Sequence, residues 1–366
     1  MKVTAIRTYG VRVPRRRVFV SALGAHPVSE YGIVLVETDE GIEGIGEISM
    51  IWNGGGLFLC ETVRQLLAPV VVGLSPFDVV QALKRMDAAV QFSRAANPAK
   101  AAVEMALYDI VGKRLNTPVY NLLGGRVRDR ILLSISIALG EREQMAREAG
   151  GYVERGFKCV KVKVGLDPDA DVERVAAVRR AVGPNITVRV DANMGWRSPR
   201  EAISAIRRME EYGIHSVEQP LPADHLDGLR EVRAAVAVPI MVDESVWGPD
   251  DAAQVMAGKA ADILNVYVSE AGGLYNAATI FSMTRAGGLT ACIGSMPELG
   301  VGTAAEVHLA TCVAELPHPS DVCGAFYHAG DVIHEELRIE DGCAFPLEGP
   351  GLGVTLNRDA LNHYQA

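Results

Sequence analysis

The chain is short of positive charge. Its 366 residues carry 36 lysines and arginines against 45 aspartates and glutamates, a net charge of −9. Nucleic-acid binding needs a basic face, so this balance gives no support for such a partner. Long apolar runs are missing too. No stretch reaches the ~20 residues that span a bilayer, and no membrane role is expected. The basic cluster at Arg15–Arg17 lies beside neither an apolar core nor a small-residue cleavage site, so no secretion signal is expected. The six cysteines are scattered without a CxxC spacing, and they read as reduced, mostly buried thiols of a cytoplasmic protein.

What is present is ordinary globular composition, 49% hydrophobic and 22% charged, in a chain too long for one ordinary core. Residues 1–125 read as strands followed by helices, an α+β capping domain. Residues 32–48 suggest two strands joined by a turn, 58–72 and 76–92 are helically spaced, and a long helix opens at Asn97–Pro98 within 97–125. From 126 to 339 short apolar runs alternate with amphipathic segments. The strand ends marked by Lys163, Asp191, Glu218, Asp243, Tyr267 and Cys292 fall 24 to 28 residues apart, the length of a βα unit. Seven such units, with a poorer eighth near 319–326, predict an α/β barrel of the TIM type. The tail, about 340–366, is expected to fold back onto the first domain.

The run Gly156–Gly165, GFKCVKVKVG, places Lys161 and Lys163 on one side of a strand whose valines otherwise suit burial. Burying two ammonium groups is costly unless something balances or uses them. In such barrels chemistry sits at the C-terminal strand ends, and three successive ends carry Asp191, Glu218 and Asp243. Each acid alone could cap a helix or form a salt bridge. Together they would repel one another, and a hard dication removes the conflict: Mg²⁺, with Mn²⁺ as an alternative. The lysines would face the metal, and a neighbouring cation with partial desolvation would lower a lysine pKa from ~10.4 towards ~7–8, the range of a working base. A substrate carboxylate on the metal has an acidified α-proton, whose removal gives an enediolate.

In order along the chain, the segments AAVEMALYDIVGKRLNTPVYNLLGG, KVKVG, RVDANMGW, VEQPL, MVDES, ADILNVYVSEAGGL, GSMPELGVGTAA and PGLGV resemble the enolase superfamily, in the muconate-lactonizing-enzyme subgroup of the mandelate racemase-like proteins. The resemblance covers nearly the whole chain. It implies Lys163 as the base, Lys161 as the lysine that balances the substrate carboxylate, Asp191, Glu218 and Asp243 as metal ligands, and Asn193 and Glu298 as polar residues near the substrate. It also implies a homo-oligomer, and a first domain whose loops set specificity, here 21–27 and 50–58, with His26 and Trp52 as candidate substrate contacts.

One position departs from the family pattern. Where many relatives carry a second lysine on the sixth strand, this sequence has Tyr267. A phenol is a poor base at neutral pH but can donate a proton. One-base outcomes, cycloisomerisation or β-elimination, therefore fit better than racemisation or epimerisation of an amino-acid or hydroxy-acid derivative. Tyr267 is a candidate acid for a leaving group. A non-catalytic binding role is disfavoured by the intact lysines and acids. The substrate is expected to be a small carboxylate; amino-acid derivatives, sugar acids and muconate-like diacids all stay open.

Overall fold

Val11 and Val13 alternate with exposed Arg12 on a strand of 19 residues, β1 (Val3–Ser21), which turns directly into β2 (Gly24–Thr38) and then β3 (Glu43–Ile48). The computed structural model describes residues 1–51 and 54–366. The three strands form one antiparallel sheet in the order β1-β2-β3. The β2–β3 pair is the hairpin expected within 32–48. The full length of β1 is hidden in the sequence because its outer positions are charged. Arg12 sits directly opposite Glu30 and bonds it at 2.9 Å, and Arg7 bonds Glu37 at 2.5 Å. Such facing charges suit an open sheet face.

Helices α1 (Gly55–Thr62), α2 (Val79–Ala89) and α3 (Asn97–Leu115) follow. Helix α3 is shorter than the segment 97–125, because Asn116 adopts a left-handed φ of 51° and ends it. It is buried on all sides from Asn97 to Gly112, as an internal helix must be. Gly46 on β3 allows the sheet to lie against it: a Cβ there would fall 1.8 Å from the carbonyl oxygen of Ala102.

The second half alternates strand and helix. Strands β4 (Ile131–Leu132), β5 (Ile135–Ile137), β6 (Cys159–Lys163), β7 (Thr187–Asp191), β8 (Ser216–Glu218), β9 (Ile240–Val242), β10 (Ile263–Val266) and β11 (Thr290–Ile293) are joined by α4 (Arg142–Glu154), α5 (Pro168–Val182), α6 (Pro199–Met209), α7 (Leu226–Ala235), α8 (Pro249–Gly258) and α9 (Leu274–Ala286). Helix α10 (Gly300–Cys312) follows β11. Helix starts follow local chemistry: Asp167 before Pro168 and Ser198 before Pro199 cap the backbone N–H groups of α5 and α6. Strands β5 to β11 lie side by side in one parallel, curled sheet. The sheet closes through a very short eighth stave. The Ser134 N–H donates to the Ser320 carbonyl (2.8 Å), Ser320 N–H to Leu132 (2.9 Å) and Asp321 N–H to Ile293 (2.8 Å). The fold is thus the expected TIM-type barrel under an α+β cap, and its weakest unit is the one that the sequence showed least clearly.

Beyond the barrel, β12 (Ile339–Glu340) and β13 (Cys343–Ala344) form a small sheet with β4. After α11 (Arg358–Tyr364), the terminal Ala366 N–H reaches the Gly10 carbonyl of β1 at 2.9 Å. Three polar ties seat the first sheet and α3 on the strand-end loops. Tyr31 donates to the carbonyls of Met296 and Pro297 (2.9 and 2.7 Å). Glu47 accepts from the backbone of Leu299 and Gly302, both at 2.8 Å. Asn97 donates to the Trp247 and Glu270 carbonyls at 2.7 and 2.6 Å. The cap therefore fixes the very loops that roof the barrel mouth. Gly46→Ala overpacks the β3–α3 contact and is expected to cost on the order of 1–3 kcal/mol, read as a lower midpoint in urea unfolding; an unchanged midpoint contradicts the close contact.

Candidate active site

Period two in β6 aims Lys161 and Lys163 to the barrel interior, where they are only 3% and 8% exposed. Lys163 Nζ lies 2.5 Å from Asp191 Oδ2 and 2.8 Å from Asn193 Oδ1. Lys161 Nζ lies 2.5 Å from Asp321 Oδ2, 3.1 Å from Glu218 Oε1 and 3.6 Å from Asp191 Oδ2. Asp191 and Glu218 close β7 and β8, and Asp243 follows β9. Each of the three offers an oxygen within 4.8 Å of the other two. The backbone is bent to hold them. Asn193 and Gln219, just past β7 and β8, have φ of 41° and 34°, unusual for residues with a Cβ. There the Asn193 N–H donates to Asp191 Oδ1 at 2.9 Å and Gln219 Oε1 accepts from the Asp243 N–H at 2.9 Å.

The charges do not balance. Asp191, Glu218, Asp243 and Asp321 set four carboxylates against the three cations Lys161, Lys163 and Arg189, whose guanidinium bridges Glu218 (2.7 Å) and Asp321 (3.1 Å). Burial opposes charge on Glu218, but Lys161 and Arg189 outweigh it and hold this carboxyl well below its usual range. Burial raises Asp191, and Glu218 adds to the rise against the pull of Lys163 and Lys161. Burial, then Glu244 and Glu218, push Asp243 well up; its side-chain donors are neutral, Tyr267 at 2.7 Å and Asn265 at 3.2 Å. Three convergent oxygens with one carboxyl forced towards its neutral form are the donor set of a hard dication, and Mg²⁺ fits it. Lys161 keeps the charge expected of the lysine that balances the substrate carboxylate. Burial lowers its pKa, but Asp321, Glu218 and Asp191 outweigh burial and hold the ammonium well above the ordinary value.

Around these groups lies a cavity of about 60 Å³. Lys161, Lys163, Asn193 and Tyr267 line it together with Glu244 and Glu270, and Phe19, Leu23 and Ile51 reach in from the cap. Tyr267, just past β10, has room because the residue after β11 is Gly294; a Cβ there would lie 2.1 Å from the ring. Burial, then the charges of Asp243 and Glu218, raise its phenol well above the ordinary value. Glu298 is turned away behind the wall. It accepts from the Met296 N–H (3.0 Å) and from Ser295, while Ser295, Met296 and Pro297 face the cavity. His26 is buried on β2, outside the described lining. Trp52 lies outside the described residues.

Several groups at the site escaped the sequence, among them Glu244 directly after Asp243. Arg189 and Asn265 stand two residues before Asp191 and Tyr267 on the same strand sides, so period two could have found them. Asp321 sits on the two-residue stave, which has no apolar pattern. Glu270 lies past β10 in a turn of helix, Val268–Ala271, where strand periodicity says nothing.

Barrel, capping sheet and strand-end groups together define a member of the enolase superfamily. The chain belongs to the mandelate racemase/muconate lactonizing enzyme family: its residues 4–124 match the N-terminal domain of that family and 144–360 match the enolase C-terminal domain-like model. It is 32% identical to an N-succinyl-L-Arg/Lys racemase of Bacillus cereus, over 99% of this chain and 97% of that one; the crystal structure of the B. cereus N-succinyl Arg/Lys racemase superposes with a TM-score of 0.95, covering 100% of this chain and 98% of that one. It is 30% identical to muconate cycloisomerase 1 of Acinetobacter baylyi over 98% of both. A dipeptide epimerase of Enterococcus faecalis, solved with Mg and L-Leu-L-Tyr, matches at 31% identity and a TM-score of 0.90 over 97% of this chain and 100% of that one. Racemases and epimerases thus stand beside cycloisomerases among its relatives, and they lend no support to ranking racemisation lower. No described helix is long and apolar enough to cross a membrane.

Mg²⁺ at a hundred times its Kd is expected to stabilise the protein by about 2.7 kcal/mol, read as a rise in Tm. Glu218→Gln should remove that rise. An equal rise in both proteins places the ion elsewhere.

Proposed function

We propose that the protein removes the proton α to the carboxylate of a small substrate with Lys163 and completes the reaction by β-elimination or cycloisomerisation, with Mg²⁺ held by Asp191, Glu218 and Asp243. The barrel, 126–339, carries the chemistry; residues 1–125 with the tail 340–366 choose the substrate.

One observation carries this, the asymmetry of the cavity. Lys163 closes β6, and Tyr267 follows β10, four strands further round an eight-stave barrel and so on the opposite wall. One wall offers an amine and the other a phenol. When bound, Mg²⁺ would draw on the charge of Asp191 and polarise the substrate carboxylate, making the neighbouring C–H more acidic. Lys163, released from its 2.5 Å pairing with Asp191, first gives its own proton to solvent and then, as the neutral amine, accepts the substrate's proton. Lys161, kept cationic by Asp321, balances the negative charge that grows as the proton leaves. Tyr267 holds its proton and presents it from the far wall to a leaving group or a new carbanion. Phe19, Leu23 and Ile51 of the cap give the cavity an apolar side beside the charged groups.

The relatives support a second reading, racemisation or epimerisation of an amino-acid derivative, with Tyr267 returning the proton on the face opposite Lys163.

With Mg²⁺ in ²H₂O, a panel of small carboxylic acids should show α-proton exchange. Lys163→Ala should cut that exchange by about 10²–10⁴-fold; undiminished exchange or turnover in this variant overturns the assignment. Tyr267→Phe should leave exchange and slow product release by elimination or ring closure. Deuterium appearing in both enantiomers decides for the second reading.

A further inference from the structure

The mechanism makes no use of the acids on the Tyr267 side. Glu270, three residues past Tyr267, is 3% exposed, lines the active-site cavity, and its Oε2 has no hydrogen-bond partner among the described residues. Its backbone is pinned, since its carbonyl accepts from Asn97 at 2.6 Å, so the side chain is held at the wall. Glu244, next to Asp243, lines the same cavity. Asn193 donates to its Oε1 at 3.1 Å and its Oε2 is likewise without a partner. Asp321 differs: both its oxygens are taken, by Lys161 and by Arg189. The cations facing the cavity, Lys161 and Lys163, are committed to Asp321, Glu218 and Asp191, and Arg94, whose charge acts on Glu270, is exposed and paired with Asp251 at 3.5 Å.

Burial, then Glu244 and Glu298, push the Glu270 carboxyl well above its usual range, so it is a group that takes up charge when a cation reaches its open oxygen. Neither protein side chain available here does so. We infer that Glu270, with Glu244 beside it, is a subsite for a cationic nitrogen of the substrate, and that the substrate is a compact zwitterion: a carboxylate with an unacylated amine in the same small molecule. This deepens the proton-abstraction reading and rests on it for the placement of the carboxylate. Glu270 and Glu244 line the same cavity as Lys161 and Lys163, so an amine at the first pair and a carboxylate near the second belong to one small molecule, as in a simple amino or imino acid. An N-acyl group or a second carboxylate placed against Glu270 would leave it without a cation.

A matched trio tests this: valine, 2-hydroxyisovalerate and N-acetylvaline share a carboxylate and a side chain, and only the first carries a cation. Binding in the presence of Mg²⁺ is measured by calorimetry, and α-proton exchange is followed separately in ²H₂O. Valine is expected to bind at least about tenfold more tightly than either partner. Glu270→Gln, which keeps the shape and removes the charge, should erase most of that preference by weakening valine alone. Equal or tighter binding of the hydroxy or N-acetyl compound by the unaltered protein overturns the subsite. So does a Glu270→Gln variant that retains the valine preference, or one that lowers the exchange rate at saturation while affinities stand, which would make Glu270 an acid–base group. The two readings fail separately. Preferential binding of valine without exchange leaves the subsite and sinks proton abstraction; exchange without preference does the reverse.

Discussion

Everything at the barrel mouth depends on carboxylates crowded into a space with too few cations. Asp191, Glu218 and Asp243 lie within 4.8 Å of one another and are all but inaccessible. Like charges so close raise the cost of ionisation unless a counter-charge sits among them. Lys161, Lys163 and Arg189 supply part of it and are in turn held by it. The same imbalance explains why two lysines occur in a strand that otherwise reads as core: they are components of an ionic cluster whose acids are arranged as a dication's ligands would be.

The cap and the barrel form one site. The barrel supplies acids, lysines and the phenol from strand ends that the sheet keeps in register. The cap contributes Phe19, Leu23 and Ile51 to the wall, and it fixes the opposite rim through Tyr31, Glu47 and Asn97. Glu47 shows the strength of that seating. Burial pushes its carboxyl up to about 8, and backbone donors from Gly302 and Leu299 pull against the rise. A residue that holds the rim is thereby coupled to the shape of the cavity, although it never touches its occupant.

The sequence made the strand ends legible because a strand repeats every two residues and a βα unit every 24 to 28. That rhythm located Lys161, Lys163, Asp191, Glu218, Asp243 and Tyr267, all of which the structure brings together. It failed where the rhythm is absent. Asp321 rides on a stave too short to show a pattern, and Glu270 lies in a single helical turn. The long β1–β2 hairpin hides behind its outward-facing arginines and glutamates. What holds Lys161 was not legible either: its closest charge, Asp321 at 2.5 Å, comes from a residue 160 positions away. Glu298 is placed by sequence near the substrate, yet its side chain turns back to cap its own loop.

The most direct test of the central claim is anomalous diffraction from crystals grown with Mn²⁺, a stand-in for Mg²⁺ that scatters strongly enough to be located. The account requires one strong peak among Asp191, Glu218 and Asp243, with an oxygen of each at about 2.0–2.2 Å, and Lys163 still directed into the mouth. No peak there, or a metal bound by other residues while the three acids keep only protein partners, would contradict it.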